Sequence, residues 1–538
     1  MALYPTALRR QDAARWRAAG EWGVESLGGA FARTCAMRGT AAALIDGERR
    51  LAFAEWDRLS AAAADGLGGL GVGAGDVVAY QLPNWWEATV LFLAAARRGA
   101  VVNPVLPIFR ARELAFILRQ SGARVLVVPG TYRDCDYPAM VADLRAELPA
   151  LRHVLVARAA PPVGTGALDS LWAHPAANAS AAVEVDPSTP LMLMYTSGTT
   201  AAAKGVLHTH DTLLAEVRSL RRVHALTPGD RTLMPSPLTH ISGVVHAILT
   251  PAVVGTSAVL MDRWGAAAAL QTIARERVTY MVGAPTFLQD LVAQAEEVDG
   301  DTTSLRLFSC GGAPVSAALI RRARARLGCV AKRVYGSTEF PTITCTDAAD
   351  AAEMGAETEG RAIAPGEVRI ADARGRAVPA GAAGEVQARG PECCVGYADA
   401  TLNGEAFTSD GWFRTGDLGH LDARGYLRIT GRIKEIVIRK GEKFSLRELE
   451  DAIAAHPAVA EVAVIALPDA ATGERVCAVV VLRGGATLTV AELSAGLAAA
   501  GLARQKHPEQ LERVDALPRT DSGKLHRAAL VRRFSPAS

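Results

Sequence analysis

The chain has 538 residues, 50% of them hydrophobic, and 58 lysines and arginines against 56 aspartates and glutamates, a formal net charge of +2. That length exceeds what a single core supports and predicts two to four structural units with ample apolar surface to bury. A balance so near neutrality makes no electrostatic case for a nucleic-acid partner or an anionic membrane surface, and neither is expected.

The opening stretch, MALYPTALRRQDAARWRAAG, has no apolar core and no small-residue cleavage site, so no signal peptide is expected. From about residue 40 to 300, apolar strand-like runs alternate with helical ones: DVVAYQLP, WWEATVLFLAAARRG, AVVNPVLP, ELAFILRQSG, ARVLVVPG. This rhythm predicts βα units stacked into a mostly parallel sheet. The stretch Val244 to Met261 is broken by His246, Pro251 and Gly255. It is expected to form buried strands and turns and not a membrane span. Beyond about Gly360 the texture becomes short, glycine-punctuated β pieces, as in GEVRIADARGRAVPAGAAGEVQARGP, which predicts a small β subdomain. After ITGRIKEIVIRKG the order is helix (LRELEDAIAAH), strand (VAEVAVIALP), strand (RVCAVVVL), helix (VAELSAGLAAAG), a compact α+β pattern. The boundary is placed between residues 433 and 434, within the segment Gly431 to Lys434.

Two tempting motifs have plainer readings. GLGGLG at 66–71 formally matches GxGxxG, but it follows a helix and precedes a strand, the reverse of a dinucleotide site, and is read as a helix-to-strand turn. Cys310 ends a strand beside a glycine turn and is read as a buried thiol without a nucleophilic role. The eight cysteines are scattered, with no CxxC and no zinc spacing, which fits a reduced, cytoplasmic protein.

One stretch has the texture of a phosphate loop: TSGTTAAAKG, residues 196–205. It fails as a Walker-type loop, because Ala203 stands where that motif has its second glycine and Gly205 follows Lys204 where Ser or Thr is needed. By itself it could equally be a solvated turn. It is accompanied, however, by PLTHISG (237–243), SCGGAP (309–314), YGSTEF (335–340), GEVQARGP (384–391), GWFRTGDLG (411–419), GRIKEIVIRKGEKFS (431–445) and LPRTDSGKLHR (517–527). In this order and at these spacings they resemble the adenylate-forming superfamily, whose members include acyl-CoA ligases, adenylation domains and firefly-type luciferases. The resemblance runs from about residue 30 to 530.

The resemblance implies an α/β chain: a large N-terminal domain of stacked βα sheets with a small β subdomain, residues 1–433, and a mobile C-terminal α+β domain, residues 434–538. In that family a carboxylic acid attacks the α-phosphate of ATP to give an acyl-adenylate, and a thiol then displaces AMP. Carried over motif by motif, Tyr335 and Gly336 face adenine, and Gly311, Gly312, Ala313 and Pro314 let the ring approach backbone. Thr338 contacts the α-phosphate, Glu339 holds Mg²⁺, and Asp417 with Arg432 takes the ribose hydroxyls. His240 lies near the acyl carboxylate, and Lys524 stabilises the charge that develops during adenylation. Lys434 is the hinge about which the small domain turns, after which the segment carrying Arg439, Lys440, Gly441 and Lys443 serves CoA. A solvated basic loop is the plainer reading of that last segment.

The family's loop reads TSGTT, then Gly, any residue, Pro, Lys, Gly. Thr196, Ser197, Gly198, Thr199, Thr200 and Lys204 match, whereas Ala201 and Ala203 replace the glycine and the proline. Both changes weaken a cradle of backbone N–H groups around the β- and γ-phosphates, and Ala-Ala-Ala-Lys favours extending a following helix turn. The leading expectation is an acyl-CoA ligase with an impaired ATP-dependent first step, fed by an acyl-adenylate from a separate adenylating enzyme. A fully competent ligase, an enzyme loading a carrier protein and a non-catalytic binding protein are the rivals. No acidic residue in PLTHISG awaits an α-amine, so a non-amino acid is expected, with a bulky alicyclic or aromatic acid as the guess. No carrier domain follows Lys524, which favours CoA.

Overall fold

The computed structural model describes residues 10–173, 184–196, 203–298, 300–347, 350, 352–433, 436–439, 442–469, 473–500, 502, 504–520 and 525–535. By compactness the chain divides into Met1–Ala356 with Ala362–Glu367 and Arg389–Phe413, and a second unit of Glu357–Arg361, Val368–Ala388 and Arg414–Ser538. Compactness is a different property from the turning of a domain during a reaction, to which the boundary at 433/434 refers.

The first unit is built on two sheets. One runs, in spatial order, Arg361–Ala362, Thr344–Cys345, Val330–Tyr335, Leu307–Gly311, Tyr280–Gly283, Arg231–Met234, Ser257–Leu260, Ala42–Asp46 and Arg49–Ala52. The pairs from Val330–Tyr335 through Ala42–Asp46 are parallel, while Thr344–Cys345 joins Val330–Tyr335, and Arg49–Ala52 joins Ala42–Asp46, antiparallel. The other runs Gly396–Tyr397, Lys204–Thr209, Pro190–Thr196, Val101–Pro104, Val77–Tyr80, Val125–Pro129, His153–Ala157 and Gly166–Ala167. Here the predicted βα rhythm is realised: the strands in DVVAYQLP, AVVNPVLP and ARVLVVPG pair in parallel around Val77–Tyr80. Such strands are covered on both faces, which is why they read as unbroken apolar runs. The helices Phe53–Gly69, Trp86–Arg97 and His210–Val223 contribute to one large buried cluster with residues of both sheets.

Two expectations are corrected. Within Val244 to Met261 only Ser257–Leu260 is a strand; Ile241–Val244 and Thr250–Val254 are α-helical and Val245–Leu249 is a π-helix. Pro251 lacks the N–H that an unbroken α-helix requires, and the Thr250 hydroxyl donates to the Val245 carbonyl at 2.8 Å, so the ladder widens locally. Gly255, at φ 83°, then ends the helix. Likewise Lys204 does not extend a helix. It opens the strand Lys204–Thr209, antiparallel to Pro190–Thr196, and the next helix starts only at His210. Cross-strand pairing, and not helix propensity, sets the backbone at Lys204.

GLGGLG lies at the end of a helix and before a strand, as expected. Cys310 is fully buried in Leu307–Gly311, and desolvation pushes its thiol pKa well up, so it is inert.

The second unit holds the predicted small β subdomain, a sheet of order Glu367–Ala371, Gly384–Arg389, Phe413–Leu421, Leu427–Arg432. It also holds the α+β pattern: helix Leu446–Ala454, strands Val459–Asp469 and Gly473–Leu482, and helix Val490–Ala499.

Candidate active site

Parallel strands bring distant motifs side by side at their C-terminal ends. Gly311 is in register with Val334, and a Cβ on Gly311 would lie 2.3 Å from the Val334 carbonyl oxygen, so only glycine lets these strand ends meet. Gly312, Ala313 and Pro314 continue from one strand end, and Tyr335 closes the other, half-buried. Tyr335 and the glycine turn are thereby adjacent.

After Tyr335 the chain folds back on itself. Ser337 N donates to the Phe340 carbonyl at 2.9 Å, Ile343 N to the Tyr335 carbonyl at 2.8 Å, and Phe340 N to Ser337 Oγ at 3.3 Å. Gly336 permits the fold-back, since a Cβ there would sit 2.0 Å from the Pro341 carbonyl oxygen. Phe340 is buried as the wedge of the turn, and half-buried Thr338 and Glu339 form its apex.

Three contacts hold that apex. His208 Nε2 lies 2.8 Å from the Thr338 carbonyl and Nδ1 lies 3.0 Å from Thr212 Oγ1. Burial lowers the His208 pKa to about 4, so the ring is neutral. A carbonyl only accepts, so the single proton sits on Nε2 and Thr212 donates to Nδ1. Cys394 N donates to the Glu339 carbonyl at 2.7 Å. Finally, the Tyr397 hydroxyl donates to Glu339 Oε1 at 2.7 Å.

The loop-bearing hairpin joins the same group. Thr196 and Lys204 are paired in register, and the Thr196 hydroxyl donates to the Lys204 carbonyl at 3.5 Å. The Lys204 ammonium stands 5.3 Å from the centre of the Tyr397 ring. Ala203 packs against the apolar cluster that contains Tyr195. Ser197, Gly198, Thr199, Thr200 and Ala201 lie outside the described residues, as do Lys434, Lys440, Gly441 and Lys524.

His240 caps the helix Ile241–Val244, its Nδ1 accepting from Ser242 N at 3.3 Å. The loop before it hangs on Asn84: Nδ2 donates to the carbonyls of Met234, Ser236 and Met261, and Oδ1 accepts from Leu238 N at 2.7 Å. The Tyr80 hydroxyl donates to the Leu238 carbonyl at 3.0 Å. Asn84, Tyr80, His208 and Tyr397 were not foreseen. The one hint in sequence was a polar residue closing an apolar strand run, as in YQLPN.

In the second unit Asp417 and Arg432 face each other across an antiparallel pair, and Arg432 Nε donates to Asp417 Oδ1 at 2.7 Å. Asp417 is buried and Arg432 exposed, a carboxylate oriented by a cation that keeps its own solvent. Arg439 ends one strand of a two-stranded ribbon and Lys443 lies in the other.

Among the described residues no group of three or more His, Cys, Asp and Glu side chains forms a metal cage. A lone carboxylate suits a cation that takes most of its ligands from a nucleotide and water, and Glu339, with Oε1 fixed and the side chain half-buried, fits Mg²⁺ in that way.

A threonine–glutamate turn at the strand ends, flanked by a glycine turn and a lysine-bearing hairpin, defines an AMP-binding enzyme. The chain belongs to the adenylate-forming superfamily, in its acyl-CoA ligase branch: the AMP-binding enzyme family matches residues 31–398, and the AMP-binding enzyme C-terminal domain matches residues 448–524. The chain is 33% identical to a medium-chain fatty-acid–CoA ligase of Escherichia coli, over 97% of this chain and 92% of that one. It is 34% identical to a salicyl-AMP ligase / salicyl-S-ArCP synthetase of Mycobacterium tuberculosis, over 98% and 94%. The structure of ATP-bound MatB from Rhodopseudomonas palustris superposes with a TM-score of 0.85 at 30% identity, covering 95% of this chain and 99% of that one. The protein is therefore a ligase enzyme. No helix among the described residues is long and apolar enough to cross a membrane.

Proposed function

We propose that the protein joins a carboxylic acid to a thiol in two steps, forming an acyl-adenylate from the acid and ATP and then an acyl thioester. The observation that carries this reading is the tie between Lys204, Tyr397 and Glu339, which joins the phosphate-loop hairpin to the Thr338–Glu339 turn. A chain that had abandoned ATP would have no use for that tie. Thr338 and Lys204 receive the phosphates, Tyr335 with Gly336 and residues 311–314 takes adenine, and Asp417 with Arg432 takes the ribose. His240, held at the start of the helix Ile241–Val244, serves the acid's carboxylate. Mg²⁺, held at Glu339, supplies neutralisation of phosphate charge when bound. Residues 434–538 turn about Lys434 between the steps, exchanging Lys524 for the sequence segment of Arg439, Lys440, Gly441 and Lys443.

The acid is aromatic or alicyclic and not an amino acid, in keeping with the salicyl-activating relative and with the absence of a carboxylate in residues 237–243. CoA is the favoured acceptor, and the same relative's name makes a carrier protein the alternative. Eight free cysteines, seven of them buried, suit a reducing, cytoplasmic setting.

Ala201 and Ala203 favour a second reading, transfer only, from a ready-made adenylate. The relatives give that reading no support. Two assays separate the readings: aryl acid with MgATP, scored by pyrophosphate, and synthetic aryl-adenylate with CoA, scored by thioester. The two-step reading expects turnover in both, and Ala201→Gly with Ala203→Pro should change pyrophosphate release by less than about threefold, under 1 kcal/mol of barrier. Fast thioester formation without acid-dependent pyrophosphate would overturn it in favour of transfer alone.

A further inference from the structure

Tyr397 binds no part of the substrates in the reading above, yet its side chain touches both the loop hairpin and the glutamate. Its hydroxyl donates to Glu339 Oε1 at 2.7 Å, and its ring carries the Lys204 ammonium at 5.3 Å. It does not swing freely: Tyr397 N donates to Asn403 Oδ1 at 2.9 Å, and the residue pairs in register with Val206 of the loop-exit strand. The side chain is buried, and its neighbours Val206 and Cys394 are buried with it. Resting on the reading that Glu339 serves Mg²⁺, we propose that Tyr397 is a positioning residue that pre-orients the Glu339 carboxylate for the metal and couples that orientation to Lys204.

The chemistry favours a phenol over a cation in this place. An arginine or lysine on Glu339 would orient the carboxylate but cancel its charge, and the site would then hold a divalent cation poorly. A neutral O–H orients one oxygen, leaves the carboxylate's charge intact, and leaves Oε2 with no hydrogen bond among the described residues. Donation toward a carboxylate also enriches the ring in electron density, which favours Lys204 over its face. One residue therefore sets the positions of a metal-holding anion and a phosphate-holding cation relative to each other.

The test is calorimetric and needs no turnover. ATP affinity is measured with Mg²⁺ and with EDTA for the full chain, for Tyr397→Phe, for Tyr397→Leu and for Glu339→Gln, with the melting temperature of each. Tyr397→Phe keeps the ring and should leave ATP affinity in EDTA within twofold, while the increment added by Mg²⁺ falls about tenfold, as when the partner that orients a metal ligand is lost. Tyr397→Leu should lose the same increment and also bind ATP more weakly in EDTA, because Lys204 loses its platform. A merely structural role would lower both affinities together. The proposal is overturned if Tyr397→Phe and Tyr397→Leu keep the full Mg²⁺ increment while Glu339→Gln loses it; the reading of Glu339 then stands. If Mg²⁺ adds nothing to ATP affinity in the unaltered protein, the reading of Glu339 fails and Tyr397 has no metal to serve.

Discussion

Glu339 and the pair Glu216 and Glu392 are carboxyl groups of the same unit, and each accepts a hydrogen bond from a neutral hydroxyl. Tyr397 donates to Glu339, Thr342 donates to Glu216 at 2.6 Å, and Ser219 donates to Glu392. Their surroundings differ. Glu339 stands half-buried at the apex of a turn, where a cation can reach it, whereas Glu216 and Glu392 are sealed from solvent. Desolvation, and then the proximity of Glu392, raises the Glu216 pKa to about 8. Desolvation raises that of Glu392 to about 7, with Glu21 adding to the rise and Ser219 and Arg222 opposing it. A hydroxyl donor thus orients a carboxyl group without deciding its charge, and access to counter-ions decides that. The same kind of bond holds an accessible carboxylate in one place and a pair of packed acids in the other.

The comparison breaks most visibly at Glu339. Glu339→Gln keeps shape and hydrogen bonding but removes the charge, and acid-dependent pyrophosphate release should fall by about three orders of magnitude, the loss typical of a principal electrostatic group. A rate within tenfold of the parent, measured at saturating Mg²⁺, would mean that charge at this position is dispensable.

Asp417 sharpens the contrast, being oriented by a cation where Glu339 is oriented by a phenol. Asp417→Ala should weaken acyl-adenylate binding by about 1.5–3 kcal/mol, the value of hydrogen bonds to a charged acceptor. Calorimetry with a non-hydrolysable acyl-adenylate analogue checks this, and unchanged affinity would remove Asp417 from the site.

The buried pair makes the opposite prediction, one of stability and not of binding. Because the Glu216 pKa is raised in the folded state from an ordinary 4.5 to about 8, its contribution to stability is fully present below pH 4.5 and is lost as pH rises through about 8. Glu216→Gln removes that dependence. Its unfolding midpoint should match the parent within about 1 °C at pH 5 and exceed it by several degrees at pH 8.5, a few kcal/mol in a protein of this size. Equal midpoints at both values would show that the parent carboxyl ionises without penalty.

The smallest effect is expected at Ser219. Ser219→Ala removes one donor from Glu392 and should lower stability by about 1 kcal/mol at neutral pH, read from urea unfolding, with no change in Mg²⁺ requirement.

Local pattern carried much of the fold. The alternation of apolar strands and helices, the helix-to-strand turn at GLGGLG and the burial of Cys310 were all legible, because each depends on neighbours a few residues away. The order of the motifs was legible too, and it led to the family. What escaped was non-local. His208 meets the Thr338 carbonyl across 130 positions of sequence, and Tyr397 meets Glu339 across 58, so nothing near either residue announces its partner. Local preference also misled at two points. VVHAILTPAVV reads as strand from its β-branched residues, but it forms helix where Thr250 and Pro251 reshape the ladder. Ala203 and Lys204 read as helix, but Lys204 is fixed by strand pairing.

The strand Lys204–Thr209 is gripped along both edges, by Pro190–Thr196 on one side and by Gly396–Tyr397 on the other. Its alternation puts Lys204, Val206 and His208 on one face, so a slip of one residue would turn both Lys204 and His208 away from the turn they serve. Double pairing forbids that slip, and the two posts at Thr196 and Lys204 keep their places whatever sequence is strung between them. A loop of different sequence grafted between those posts is therefore expected to leave Lys204 and His208 in register with the Thr338–Glu339 turn.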